Sequence, residues 1–193
     1  MIKCLENLVT LYRTLITLCG ILIVVGTTYH PAILGMPTVA ESKALGDKFD
    51  FFGLKFPVTG ICNIGSILVI VLLVMMLSST QTSKKLPLKD PADAGFWFGQ
   101  FLGLSAWLTF GSFIVLPFAA IGVAQTTVYL RPQVAADASF FDPSLLWSQV
   151  GFLLLMSLEL VFSVWLWFEN RFAAVRWKGK LQTSEALLLG PEG

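Results

Sequence analysis

Two charged side chains stand inside long apolar runs of this sequence, and they are the first candidates for chemistry. Glu159 lies in Met156-Ser157-Leu158-Glu159-Leu160-Val161, and Arg13 lies in Leu11-Tyr12-Arg13-Thr14-Leu15. An ionised carboxylate in hydrocarbon costs several kcal/mol unless it is paired, protonated or hydrated. Arg13 is the natural partner. It falls about five residues, or ~8 Å, inside one end of its run, and Glu159 falls about nine residues, or ~13 Å, inside the matching end of its own. The length of an Arg side chain covers the difference. The pair has two readings: an element of a proton or cation path, or a structural ion pair, with a neutral acid hydrogen-bonded to Ser or Thr as its variant. A transport path needs several such groups. The other notable polar residues in apolar runs, Asn63, Gln100 and Thr109, are scattered in depth, so the structural reading is preferred.

Three further constellations stand out. Gly95, Gly99 and Gly103 are spaced by four. On a helix that spacing makes one strip of small residues, along which a second helix, from this chain or a partner, can approach closely. Trp97, Trp147, Trp165, Trp167 and Trp177 fall near the ends of apolar runs, the anchoring pattern of interfacial aromatics. Arg171, Arg176, Trp177, Lys178 and Lys180 then form a basic, aromatic segment suited to lipid head groups.

Most catalytic classes lack their residues. The single histidine, His30, excludes an internal bis-histidine haem site, and there is no Cys-x-x-Cys, Gly-rich phosphate loop or Cys/His metal spacing. Cys4, Cys19 and Cys62 make no disulfide framework. The expectation is therefore a protein that is not an enzyme and carries no cofactor and no metal.

The elements that must position these residues follow from composition. The 193-residue chain is 55% hydrophobic and only 13% charged, with a mean hydropathy of +0.77. A soluble domain carries about 25% charged residues, so lipid must be the solvent for much of this chain. A net charge of +1 excludes a dedicated nucleic-acid binder. Four runs, about 8–28, 57–77, 96–123 and 145–168, reach the roughly 20 apolar residues a spanning helix needs. The N-terminal run reads as a retained span rather than a signal peptide. Pro117 is expected to kink the third helix by removing a backbone donor.

Lys3, Lys84, Lys85, Lys89, Arg171, Arg176, Lys178 and Lys180 flank one side of these spans, and Lys43, Lys48, Lys55 and Arg131 the other. The positive-inside rule then puts both termini in the cytoplasm. The fold class is an all-α, four-helix transmembrane bundle over residues 1–180, N-in and C-in, with short outer loops and a tail at 181–193. The first outer loop, 29–56, interleaves Phe49, Phe51, Phe52 and Phe56 with Asp50 and Lys55, as in a surface-lying stretch or a small hairpin. The second, 124–144, ends on Asp142-Pro143-Ser144, which suits the start of a helix.

In span number and orientation the chain resembles claudin-like, MARVEL-type and tetraspanin proteins. It departs from claudins in having no Trp or paired Cys between Tyr29 and Phe56, and from tetraspanins in its short, cysteine-free 124–144 segment. The functional expectation is a non-catalytic accessory subunit that binds and stabilises a larger membrane complex such as a channel, transporter or respiratory assembly. Its partners would be membrane lipids and other integral membrane subunits, through Gly95, Gly99 and Gly103. The alternatives are a small oligomeric transporter or channel using Glu159 with Arg13, and a lipid-handling protein entered at Phe49–Phe56. A multi-pass location in the plasma membrane, in an internal membrane or in a bacterial inner membrane fits each, with the plasma membrane preferred.

Overall fold

The computed structural model describes residues 2–30, 48–51, 54–85, 109–136 and 146–188, with side chains described over 7–30, 48–50, 54–82, 109–129 and 149–172. Four helices and one hairpin make up these residues: α1 (Ile2–Thr28), β1 (Lys48–Phe51), β2 (Leu54–Pro57), α2 (Val58–Lys85), α3 (Leu116–Ala136) and α4 (Leu146–Leu188). A π-helical turn, Gly111–Val115, leads directly into α3. The stretches Asn7–Thr28, Val58–Thr82, Gly111–Tyr129 and Gln149–Phe172 are each long and apolar enough to cross a membrane. They are compatible with a multi-pass membrane protein.

Each helix contributes one stripe to the core at helical spacing. On α1 the stripe is Leu8, Leu15, Cys19, Leu22 and Val25; on α2 it is Val58, Cys62, Ser66, Val69, Leu73 and Met76. Steps of three, four and seven residues keep such positions on one helix face. On α4 the stripe is Glu159, Ser163, Leu166 and Asn170. The opposite faces carry large apolar side chains in the open, among them Val24, Ile64, Leu153, Leu154 and Val161. Water disfavours a surface of that size and character, whereas lipid tails match it.

Named contacts set the helix directions. Tyr12 meets Phe113 edge-on at 5.6 Å, and His30 bonds Thr126 near the other end of α1, so α1 and α3 run parallel. Gln125 bonds Ser66 and Asn63 near the start of α2, and Tyr129 bonds Gln149 near the start of α4 while Phe110 meets Trp167 further along it. Thus α2 and α4 run against α1 and α3. The helix pairs that pack are α1 with α2 and α3, α4 with α2 and α3, and α2 with α3. Among the described residues, α1 and α4 approach each other less closely than these pairs do.

The third helix differs from expectation at both ends. Residues 96–108 of the expected span, with Gly95, Gly99 and Gly103, lie outside the described residues. At its far end the helix runs on to Ala136, so Gln125, Thr126 and Thr127, expected to open a loop, are helical. Their polarity is absorbed locally: Thr126 Oγ1 donates to Gly122 O at 2.8 Å and Thr127 Oγ1 to Val123 O at 2.8 Å. Before Pro117 the helix widens. The Leu116 N–H donates to Gly111 O, five residues back. Proline lacks the N–H that would reach Phe113 O and crowds that carbonyl, and a π turn is the local solution. The fourth helix likewise continues well past the expected span end, through Arg176, Trp177, Lys178 and Lys180 to Leu188.

Candidate functional sites in the bundle and beneath the hairpin

Glu159 is completely buried. Its Oε1 accepts a hydrogen bond from Ser163 Oγ at 2.6 Å, one helical turn along α4, and its Oε2 has no hydrogen-bond partner. The Cys19 thiol of α1, also buried, lies within electrostatic reach of this carboxyl. Arg13 is exposed, and it precedes the core residue Leu15 by two positions, which turns it about 200° away from the core face at 100° per residue. Among the described residues no ion pair joins Arg13 to Glu159, and the side chain that bonds Glu159 is the Ser163 hydroxyl. Glu159 and Ser163 belong to the same stripe as Asn170, a buried amide with neither end hydrogen-bonded. The i, i+4, i+7, i+11 spacing of these residues with Leu166 was the available signal for that stripe.

The other end of the bundle, nearest the hairpin, holds a set of uncharged polar contacts, in which Asn63 is the one residue marked by the sequence as a notable polar group. Gln125 Nε2 donates to Ser66 Oγ at 2.9 Å and Asn63 Oδ1 at 3.2 Å, and reaches Cys62 O at 3.5 Å. Ser66 Oγ itself donates to Cys62 O at 2.7 Å. Thr127 Oγ1 lies 3.0 Å from Gly26 O on α1, His30 Nε2 lies 3.2 Å from Thr126 Oγ1, and Gln149 Nε2 donates to Tyr129 Oη at 2.8 Å. Burial holds the His30 imidazole below its ordinary range, favouring the neutral ring. These bonds join α3 to each of the other three helices. Beside them Gly26 and Gly65 let neighbours come close: a Cβ on Gly26 would stand 2.7 Å from Val123 Cγ1, and one on Gly65 would stand 2.5 Å from Leu22 Cδ2.

The hairpin pairs Lys48 with Pro57, Phe49 with Phe56, and Asp50 with Lys55. Because side chains alternate across a strand, Phe49 and Phe56 share one face and Lys48, Asp50 and Lys55 the other. The Phe face turns toward the helices. Tyr29, just past α1, meets Phe49 edge-on at 6.2 Å and its hydroxyl donates to Lys48 O at 3.3 Å. Beneath the two rings lies a groove of about 600 Å³ with Gly20, Ile21 and Val24 of α1 and Ile61 of α2 in its walls. A second recess of about 280 Å³ continues it along α1 and α2 to Leu68.

The remaining expected site residues fall as follows. Arg171 is half-buried on α4, and Arg176, Trp177, Lys178 and Lys180 lie on the same helix beyond the described side chains. Among the described residues no group of three or more His, Cys, Asp or Glu side chains is placed to hold a metal ion. No protein-family description, curated protein or solved structure matches this chain.

Proposed function

We propose that this chain is an integral membrane protein crossing the bilayer four times with both termini cytoplasmic, and that it serves as a non-catalytic subunit which binds and stabilises a larger membrane complex. The observation that carries this reading is the length of α4. Its 43 residues extend about 64 Å at 1.5 Å per residue, roughly twice the ~30 Å hydrocarbon thickness. The candidate span ends at Phe172, so residues 173–188 continue the helix as an arm. The arm propagates from α4 and needs no nucleus of its own, but Gly179 in its interior costs about 1 kcal/mol. A surface that covers the arm would stabilise it, and its sequence, Arg176-Trp177-Lys178-Gly179-Lys180, suits anionic head groups beside a partner subunit. The interior polar side chains, meanwhile, support a scaffold role, since Gln125 and Gln149 spend hydrogen bonds on joining helices.

Purification from native membranes in mild detergent tests this reading. Stoichiometric co-purification of another integral membrane protein, lost when residues 173–193 are removed, is the expected result. A monodisperse protein that never carries a partner would sink it.

A second reading, a small transporter or channel, draws on Glu159, whose Oε2 has no hydrogen-bond partner deep in the bundle. Proteoliposome flux that depends on pH and is abolished in Glu159→Gln would favour it; absence of flux in the parent protein would remove it.

A further inference from the structure

The groove beneath the hairpin has a defined chemistry. Its walls are hydrocarbon: Ile21, Val24 and Ile61 from the helices, Phe49 and Phe56 from the hairpin. The one hydroxyl among the described lining residues, on Thr17, is committed to Arg13 O at 2.9 Å. Such walls offer nothing to an ion or a sugar. The volume, about 600 Å³, lies within the roughly 300–1,000 Å³ typical of small-molecule sites. With its continuation the groove follows α2 from Pro57 to Leu68, a run of ~16 Å at 1.5 Å per residue. It opens sideways, since Ile21, Val24, Ile64 and Leu68 are all exposed. An elongated apolar slot that is open along its flank and roofed at one end by two aromatic rings fits an extended hydrocarbon chain entering from the bilayer.

The roof supplies the second half of the ligand. Lys48 adjoins Phe49 and Lys55 adjoins Phe56, both lysines are exposed, and the register puts them on the hairpin face opposite the rings. Among the described hairpin residues Asp50 alone opposes them, which leaves that face with a net positive charge. Hydrocarbon below and cations above are the two halves of an anionic amphiphile.

We propose that the α1–α2 groove beneath the hairpin is a binding site for an anionic glycerophospholipid, with one acyl chain along Ile21, Val24 and Ile61 and the phosphate met by Lys48 and Lys55. This inference rests on the four helices crossing a bilayer, but not on the chain having a protein partner.

Gly20 gives the test a clean handle. It lines the groove, and a Cβ there would meet nothing within 4 Å, so a larger side chain can start into the slot without a clash at its first carbon. Native mass spectrometry of the detergent-purified full chain, titrated with phosphatidylglycerol or phosphatidylcholine of identical acyl chains, reads occupancy and head-group preference together. The parent protein is expected to retain one phosphatidylglycerol and to prefer it over phosphatidylcholine. Each lysine near a head group contributes about a five-fold preference. Lys48→Gln with Lys55→Gln should therefore abolish the preference while leaving a lipid bound, and Gly20→Leu should remove both lipids. Val24→Trp, at an exposed groove position, should do the same, and stands in should Gly20→Leu fail to fold. Retention of phosphatidylglycerol in both groove-filling variants would overturn the proposal, as would a sterol, a free fatty acid or a peptide as the retained ligand, or no retained ligand at all. Alkaline extraction of the membranes reports insertion separately, so a chain that does not span the bilayer is distinguished from a spanning chain with an empty groove.

Discussion

Replacing Gly26 by Ala should loosen the joint between α1 and α3. A methyl group there would stand 2.7 Å from Val123 Cγ1, 3.2 Å from the Val123 carbonyl carbon and 3.3 Å from the Ala124 nitrogen. Carbon contacts are comfortable at about 3.5–4.0 Å. Valine is stiff at χ1 in a helix, and the other two atoms are backbone, so relief requires the helices to part by roughly half an ångström. That movement also stretches the 3.0 Å contact from Thr127 Oγ1 to Gly26 O, an interhelical bond worth about 0.6 kcal/mol. Overpacking of this kind costs about 1–3 kcal/mol, and alanine's better helix propensity returns about 1 kcal/mol. The net loss is about 0.6–2.6 kcal/mol. At about 2–4 °C per kcal/mol for a chain of this length, Tm should fall by roughly 1–10 °C.

Thermal unfolding in one detergent, followed by tryptophan fluorescence, measures that shift against two controls. Gly20→Ala places its methyl in open space and should leave Tm unchanged or raise it slightly. Gly65→Ala presses on Leu22 side-chain atoms only, which can turn away, and should fall between the two. If Gly26→Ala melts no lower than Gly20→Ala, the close approach of α1 and α3 is not what holds that end of the bundle.

Other outcomes follow from the same contacts. Gln125→Leu removes the donor shared by Ser66, Asn63 and Cys62 O and should destabilise the protein by about 0.6–1.7 kcal/mol, read as a lowered midpoint in the same melt. A double-mutant cycle with Arg13→Gln and Glu159→Gln should give a coupling below about 0.5 kcal/mol, because Arg13 is exposed and Glu159 bonds Ser163; a coupling of several kcal/mol would restore the ion pair. His30 binds protons less readily in the folded state than its ordinary value of 6.5 allows. The unfolded chain therefore takes up more protons below that pH, so the stability is full above about pH 6.5 and declines as pH falls. The midpoint should drop between about pH 7 and about pH 5, and His30→Gln should flatten that slope.

Four long apolar helices were legible in the sequence because hydropathy over about 20 residues is a strong signal, and the Phe/Lys alternation of 48–57 allowed for the hairpin. What was not legible depended on direction around a helix rather than depth along it. Arg13 and Glu159 lie within reach of each other in depth, yet Arg13 points away from the stripe that holds Leu15 and Cys19. Gln125, Thr126 and Thr127 read as the start of a loop because composition counts their polarity. In the structure two of them bond back to their own helix and all three reach a neighbour. The close approaches that the described residues do show sit at Gly26 and Gly65, single glycines with no repeat around them, whereas the conspicuous Gly95, Gly99 and Gly103 lie outside those residues.

The π-helical turn before Pro117 acts as a phase joint in the third helix. A π turn carries one residue more than the α-helical turn it replaces, so the segment that presents Phe110 to Trp167 is rotated relative to the segment that presents Gln125 and Thr127 to their neighbours. At about 100° per residue, deleting one residue between 111 and 115 would return the proline's clash to the helix and swing Phe110 away from α4. The bonds at the hairpin end would keep their register. The two ends of the bundle are thus set by separate clocks, and a change of a single residue in length can reset one of them without disturbing the other.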